Sequence, residues 1–547
     1  MKASDLFLRC LETLGVDTIF GVPGEENADL MISLLDSPIE FIVCRHEQSA
    51  AFMADMYGRL SGKPGVCLAT LGPGATNLVT GVVNANLDKV PVIGIIGQAE
   101  TTRLHKESHQ NMKAIPMFMP VTKWATSIQD VSVIPEVLQK AYKLAIGDKP
   151  GAIVIELPED IAKEKTKLAP LTNHVKNYER GVEDDAIERA LEMLKESKKP
   201  LVLVGSGCTY YECDQSLRKF IDKTQCYFTA TFMGKGALSA RDSRSLYCVG
   251  LGMKDIAVEA FDQADLVITI GYDMIEWHPD KWNASQDKKI IHIDTTPAEV
   301  DAHYLPDLEL VGDLTVIIEQ LTEDLLQEHK KEEGYFSKIR DRITAELEEH
   351  CENESFPMKP QRLISDTRKA LKDDDILISD VGAHKMWVAR QYPTYYSKTC
   401  FIYNGFASMG GAMPGAFVAK RLHPEKNVVA LCGDGGFIMS IQALPTAVRY
   451  KVPFVVVVWE DDHYGLIKWK QEMTYKKHSH VDLENNDLVQ LSQAFGCHAT
   501  RIAKAQDFLP ALENAFKEKT VPTVIVVPVD YSENMKLTKR LGSIVAH

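Results

Sequence analysis

No hydrophobic run in this 547-residue sequence is long enough to cross a bilayer. The longest notable one, Phe454-Val455-Val456-Val457-Val458-Trp459, falls far short of the roughly 20 residues that a spanning helix needs. Nor does the chain open like a secretory leader, because Asp5, Arg9 and Glu12 interrupt its first apolar stretch. Paired CxxC motifs are missing from the 11 cysteines. Cys208 and Cys213 form a lone C-x4-C without a second half, which reads as structural thiols rather than metal ligands. Reduced cysteines fit a cytoplasmic protein. Positive charge is also scarce: 61 Lys and Arg against 76 Asp and Glu leave a net charge of -15. That balance argues against nucleic acid or an anionic membrane as a partner. Any anionic ligand must be held locally, by backbone N–H groups, a metal ion or a few basic side chains. The zinc-protease pattern H-E-x-x-H fails as well, because His46-Glu47-Gln48-Ser49 is followed by Ala50.

At roughly 100–200 residues per domain, the length predicts about three domains. Short apolar runs at 92–96, 153–155, 201–204, 266–270 and 376–378 alternate with helical stretches. Such runs predict parallel strands covered on both faces. The fold class is therefore α/β, expected as three doubly wound parallel-sheet domains. Polar stretches at about 163–184, with Pro170, and at about 346–360, with an acidic cluster before Pro357, read as linkers. They divide the chain into 1–165, 185–345 and 360–547. The outer segments echo each other. Lys89-Val90-Pro91-Val92 matches Lys451-Val452-Pro453-Phe454, and each follows a glycine-rich turn, Gly72-Pro73-Gly74 or Gly433-Asp434-Gly435-Gly436. Each segment also closes on a strand ending in proline, Pro158 or Pro528. Two domains of one topology are expected, with a Rossmann-like domain between them. In that middle segment Gly205-Ser206-Gly207 is too short for a nucleotide site and reads as a tight turn.

The chemistry begins where an apolar strand at 428–431 runs into Gly433-Asp434-Gly435-Gly436 and a helix. Glycines let backbone N–H groups approach a phosphate, and a helix N-terminus adds favourable partial charge. Asp434 can reach a cation bridging two phosphate oxygens, since Mg²⁺ takes a carboxylate or two beside phosphates and water. The next apolar strand ends in Glu460-Asp461-Asp462-His463-Tyr464-Gly465. An oxygen ligand there would close the site from the neighbouring strand end. A lone Gly-Asp-Gly could equally be a plain strand–turn–helix. In the first segment Arg45-His46-Glu47 follows a strand and opens a helix, and Glu47 alone reads as a first-turn acid favoured by the helix dipole.

The spacing decides between these readings, because it resembles the metal motif of thiamine-diphosphate enzymes. Residues 436–459, 24 in number, separate the glycine loop from Glu460-Asp461. Aligned on Tyr464-Gly465, this register makes Asp461 the side-chain ligand and His463 the backbone-carbonyl ligand. Counting 25 makes the pair Asp461-Asp462. The family's usual Asn-Asn is absent, so both aspartates stay open, with Asp461 preferred. Thr70-Leu71-Gly72-Pro73-Gly74-Ala75-Thr76-Asn77 resembles the family's loop near the cofactor. Asp380-Val381-Gly382-Ala383-His384 resembles its second diphosphate turn. Ala407-Ser408-Met409-Gly410 resembles the stretch whose methionine wedges between the two cofactor rings.

Over its whole length the chain resembles the acetolactate synthase family, and in particular its catabolic, FAD-independent branch. Arg45-His46-Glu47, His109-Gln110-Asn111-Met112, Pro120-Val121-Thr122-Lys123 and Glu276-Trp277 carry the likeness. The resemblance implies two thiamine-diphosphate-binding folds, an N-terminal pyrimidine-binding and a C-terminal diphosphate-binding domain, flanking the middle domain. It implies a carboligase, a transferase that joins two pyruvates into 2-acetolactate with loss of CO₂, using thiamine diphosphate and Mg²⁺ without FAD. Glu47 would share a proton with the aminopyrimidine, and Pro23, Thr70, Gly74 and Asn77 would surround it. Ala383, His384, Ala407, Met409, Gly433, Asp434, Gly435, Gly436 and Tyr464 would hold the rest of the cofactor, with Asp434, Asp461 and His463 on the metal. Gln110 would lie near the reacting carbons, with His109 and Trp469 as further substrate candidates. Trp469 resembles the anabolic branch instead, and Glu25-Glu26-Asn27 departs from the usual small residues. Both leave substrate preference open. The family assembles as a homodimer at least, commonly a homotetramer. A 2-oxo acid decarboxylase releasing an aldehyde would share every cofactor residue, but many carry adjacent histidines where this chain has separated His105 and His109. A non-catalytic nucleotide sensor would need neither Glu47 nor the metal motif.

Overall fold

The computed structural model describes residues 1–172, 180–252 and 255–541. Part of the expected first linker, 173–179, lies outside the described residues. The first sheet contains β1 (Thr18–Gly21), β2 (Glu40–Val43), β3 (Gly65–Ala69), β4 (Val92–Gln98), β5 (Trp124–Ser127) and β6 (Ala152–Pro158). The second contains β7 (Pro200–Val204), β8 (Tyr227–Ala230), β9 (Ser245–Cys248), β10 (Leu266–Ile270), β11 (Lys289–Asp294) and β12 (Leu308–Val311). The third contains β13 (Ile376–Ser379), β14 (Cys400–Ile402), β15 (Val428–Gly433), β16 (Val455–Glu460), β17 (His498–Arg501) and β18 (Thr523–Pro528). Every neighbouring pair of these strands is parallel.

The strand orders are β2-β1-β3-β4-β6-β5, β12-β11-β10-β7-β8-β9 and β14-β13-β15-β16-β18-β17. The first and third are the same order, so the expected repeat is present in the topology. Its sequence marks occupy matching places. Lys89 and Lys451 both take a left-handed backbone conformation just before β4 and β16, and Pro158 and Pro528 end β6 and β18. The middle order is that of a Rossmann fold, reversing direction between β10 and β7. The fold class is α/β with three doubly wound sheets.

Alternation along the strands explains why each sheet is covered twice. In β15, Val428, Ala430 and Cys432 enter one apolar core while Val429 and Leu431 enter another. In β7, Val202 and Val204 face one core and Leu201 and Leu203 the other. One core runs continuously from the first domain into the third. There the helix Glu47–Ser61 packs on the helix Ala412–Leu422, and Phe52 meets Tyr403 edge to face at 5.8 Å. Small residues permit the close approach: a side chain on Gly415 would begin 3.0 Å from Met56 Cε. All 11 cysteines are unpaired, and ten of them are buried. Among the described residues no helix is long and apolar enough to cross a membrane.

Candidate active site

The turn after β15 builds one half of the site. Gly433 is extended and the helix Asp434–Ser440 starts at the next residue, so Asp434 stands at the strand end with 1% of its surface exposed. Its Oδ2 accepts N–H groups from Asp462 at 2.8 Å and Asp461 at 3.3 Å, and the Asn485 amide at 2.8 Å. These donors hold the ends of β15 and β16 together. Burial raises the Asp434 carboxyl above the ordinary carboxylate range. Burial, and then the Asp434 charge, push Asp461 up to about 7. Two acids in one dry cleft disfavour each other's ionisation, and a divalent cation reverses that by attracting both. Asp462 shares that amide: its Oδ1 also accepts Asn485 Nδ2, at 2.7 Å.

A pocket of about 270 Å³ opens beside these acids, lined by Ala383, His384, Ala407, Met409, Gly433–Gly436, Asp461, His463, Tyr464 and neighbours on the helix Gly465–Tyr475. His384 is buried, burial lowers its imidazole to about 3, and its Nε2 has no hydrogen-bond partner in the protein. An orphaned buried polar atom is costly unless a ligand meets it. Buried Asp434 and half-buried Asp461 for a cation, with an unpartnered imidazole nitrogen for a polar atom of the ligand, fit a metal-held diphosphate.

Asp380 ties the pocket wall together. Its carboxylate accepts from Gly410 N at 2.9 Å and Gly411 N at 3.3 Å, and burial raises it to about 6. A side chain on Gly436 would begin 2.4 Å from Asp380 Oδ2, which is why glycine is required there. The motif reading quoted Asp380 without a role and missed Asn485, because their partners lie 30 and 51 residues away. Lys385, buried and lowered to about 8 by burial, also lines the pocket and donates to Asn404 Oδ1 at 2.8 Å. Ala407 holds a left-handed backbone, a strained state that concentrates at functional sites.

The other group of expected residues gathers around β1 and β3. His46 caps the helix Glu47–Ser61 by accepting from Gln48 N at 3.1 Å. Glu47 is 9% exposed, and its Oε2 accepts Asn77 Nδ2 at 3.0 Å. Gly74 keeps this corner open, since a side chain there would begin 3.3 Å from Glu47 Oε1. Thr70 donates to Glu26 Oε2 at 2.8 Å, and Asn27 accepts from Gly24 N at 2.9 Å. The departures at Glu26 and Asn27 therefore brace the loop that carries exposed Pro23. Gln110, left-handed and exposed, lies against Gly72, with exposed His109 beside it.

Trp469 is placed differently from the other candidates. It is the buried residue of its helix, and its indole N–H donates to Thr538 Oγ1 at 2.7 Å. Leu466, Ile467 and Lys470 of the same helix line the pocket instead.

Comparison with known proteins agrees with this geometry. The thiamine pyrophosphate enzyme N-terminal TPP binding domain matches residues 1–117, its central domain 187–321 and its C-terminal TPP binding domain 380–527. The protein is therefore a thiamine-pyrophosphate-dependent enzyme, of the carboligase and transferase type. An acetolactate synthase of Bacillus subtilis (strain 168) is 35% identical over 100% of this chain and 97% of its own length. A catabolic acetolactate synthase of Raoultella terrigena is 31% identical over 98% of this chain and 97% of its own. The acetolactate synthase isozyme 2 large subunit of Escherichia coli (strain K12) is 30% identical over 98% and 97%. The chain belongs to the acetolactate synthase family.

Proposed function

We propose that this chain condenses two molecules of pyruvate into 2-acetolactate and CO₂, with thiamine diphosphate anchored through Mg²⁺. The observation that carries the reading is the meeting of buried Asp434 with half-buried Asp461 beside the unpartnered Nε2 of His384. When bound, thiamine diphosphate supplies a nucleophilic carbon and the electron sink that decarboxylation of a 2-oxo acid requires. Asp434, Asp461 and the His463 carbonyl would hold the metal. Asp461 is preferred over Asp462 because it lines the pocket, whereas Asp462 is exposed and outside that lining. Gly433, Gly435, Gly436, Ala383 and His384 would bind the diphosphate, and Ala407, Met409 and Tyr464 would shape the ring site. Glu47, with Asn77 fixing its Oε2, would hold a proton against the aminopyrimidine framed by Pro23, Thr70 and Gly74. Gln110 and His109 would meet pyruvate, and Trp469 would act through the position of its helix.

The diphosphate pocket is lined by residues of the third domain alone, whereas Glu47 sits in the first. By the family likeness a second copy would supply the other half, hence a homodimer at least and a tetramer by further pairing. The domains are taken as 1–165, 185–345 and 360–547, and the setting as cytoplasmic, in keeping with 11 unpaired cysteines. No flavin is assigned. At the point where a Rossmann sheet receives a dinucleotide pyrophosphate, the N–H of Ser206 is engaged at 3.0 Å by the carboxylate of Glu276.

The test is a product assay with pyruvate, thiamine diphosphate and Mg²⁺, with and without FAD. Acetoin after acid treatment, at a rate indifferent to FAD, is expected. Acetaldehyde as sole product would make the chain a decarboxylase, and a strict need for FAD would overturn the flavin assignment.

A further inference from the structure

The rim of the diphosphate pocket carries a second cluster of ligand-type side chains. Backbone pairing joins the segment after β16 to residues 481–483: Tyr464 N donates to Val481 O at 2.8 Å and Leu483 N to Asp462 O at 2.7 Å. This brings His463, His478 and Asp482 together, with one ligand atom from each lying within 4.8 Å of the others. Asp482 Oδ1 is 3.1 Å from His463 Nε2 and 3.6 Å from His478 Nε2. Ligand atoms at about 2.0–2.1 Å from a tetrahedral zinc ion stand about 3.3 Å apart, so the cluster needs little adjustment.

An independent feature points the same way. Each histidine has its other ring nitrogen fixed. His463 Nδ1 hydrogen-bonds the Asp461 carbonyl, and His478 Nδ1 lies 2.9 Å from Glu472 Oε1. A carbonyl or carboxylate oxygen can only accept, so both Nδ1 atoms donate. In neutral rings that leaves Nε2 as the lone-pair nitrogen on the side of Asp482, the outer-shell arrangement of metal-ligating histidines. Two such nitrogens converging on a carboxylate oxygen call for a cation. Lys468 Nζ, 2.8 Å from His463 Nε2, already brings one positive charge to that nitrogen.

We propose that His463 Nε2, His478 Nε2 and Asp482 Oδ1 form a second metal site, for a borderline transition-metal ion such as Zn²⁺, distinct from the Mg²⁺ of the cofactor. Binding displaces the Lys468 ammonium and cross-links residues 461–464 to 478–483, the segment that presents Asp461 to the pocket. The site is partly open to solvent, with His463 and His478 side chains 22% and 31% exposed, so water completes the coordination.

The test is a Zn²⁺ titration by calorimetry on the full-length enzyme saturated with thiamine diphosphate and excess Mg²⁺, which occupies the primary site. One Zn²⁺ per chain is expected. His478→Ala and Asp482→Asn should each weaken it at least 100-fold, Glu472→Gln should weaken it about 10–100-fold, and Lys468→Met should tighten it. Turnover of His478→Ala in the absence of Zn²⁺ should match the parent, which checks folding. Co²⁺ bound to the unaltered enzyme should give the visible absorption of a four- or five-coordinate nitrogen–oxygen site. Absence of saturable Zn²⁺ binding, or binding unchanged in His478→Ala, would overturn the proposal.

Discussion

Replacing Glu276 by glutamine should make the middle domain more stable at alkaline pH and leave it nearly unchanged in acid. Glu276 is buried at the strand-order reversal of the second sheet. Its carboxylate accepts from Ser206 N at 3.0 Å, Ser206 Oγ at 2.9 Å and Thr231 Oγ1 at 2.5 Å. These bonds favour the charged form, yet burial outweighs them and raises the group from 4.5 to about 7. At about 1.4 kcal/mol per tenfold, that rise corresponds to about 3 kcal/mol. The sign follows from proton binding. Below pH 4.5 folded and unfolded chains both hold the proton, and Glu276 contributes no pH dependence. Between pH 4.5 and about 7 the unfolded chain releases it first, so stability falls as pH rises. Above about 7 the full loss remains.

Glutamine cannot ionise, while its amide oxygen can still accept from Ser206. The variant-minus-parent difference should therefore grow by up to about 3 kcal/mol between pH 5 and pH 8, or roughly 5–10 °C in the melting of a domain of this size. Thermal melts at the two pH values give the comparison. Amide exchange in β7 and β10 reads the middle domain directly, as is needed in a chain whose domains can unfold separately. A difference that stays constant across pH would refute the reasoning.

Two further perturbations address the cofactor. Glu47→Gln removes the carboxyl that Asn77 holds at 3.0 Å. Turnover should drop by about 10²–10⁴-fold, the usual worth of a positioned proton-transfer group, while calorimetry still detects cofactor binding; near-parental turnover would remove Glu47 from its role. Asp434→Ala deletes both the proposed metal ligand and the acceptor that joins β15 to β16, so metal-dependent affinity for thiamine diphosphate should collapse in a titration with Mg²⁺. Unchanged affinity would mean that the loop serves another purpose.

The parts of the site legible in the sequence were those whose physics is local. Gly433-Asp434-Gly435 announces a strand end meeting a helix, and Lys451-Val452-Pro453 announces the next strand. The repeat could be suspected because its marks fall at matching turns. What escaped depends on distant partners. Asp380 matters through Gly410, Gly411 and Gly436, brought to it by separate crossovers. Trp469 looked like a substrate residue by likeness, but its indole is claimed by Thr538, 69 residues later. Glu276 stood out as part of a likeness, while its proximity to Ser206 depends on β10 lying beside β7. Parallel sheets make such partners the rule, because every neighbouring strand is reached through a crossover.

The duplicated fold also separates two chemical requirements that conflict in one cleft. To hold a cation Asp434 and Asp461 would have to ionise together, which burial of both carboxyls and the Asp434 charge beside Asp461 oppose. The task proposed for Glu47 is different, sharing a proton with a neutral ring. A third carboxyl among the metal ligands would be drawn into the cation's field and lose its proton to it. The first sheet avoids this. Its loop after β3, Gly72-Pro73-Gly74, carries no acid where the equivalent loop after β15 carries Asp434, and the partner that fixes Glu47 is the uncharged amide of Asn77. One topology used twice thus offers a cleft with two acids at its strand ends, suited to metal and diphosphate, and a second in which Glu47 is held by an amide and Glu26 by Thr70, suited to the pyrimidine. A cofactor long enough to reach both would make the two halves a single site.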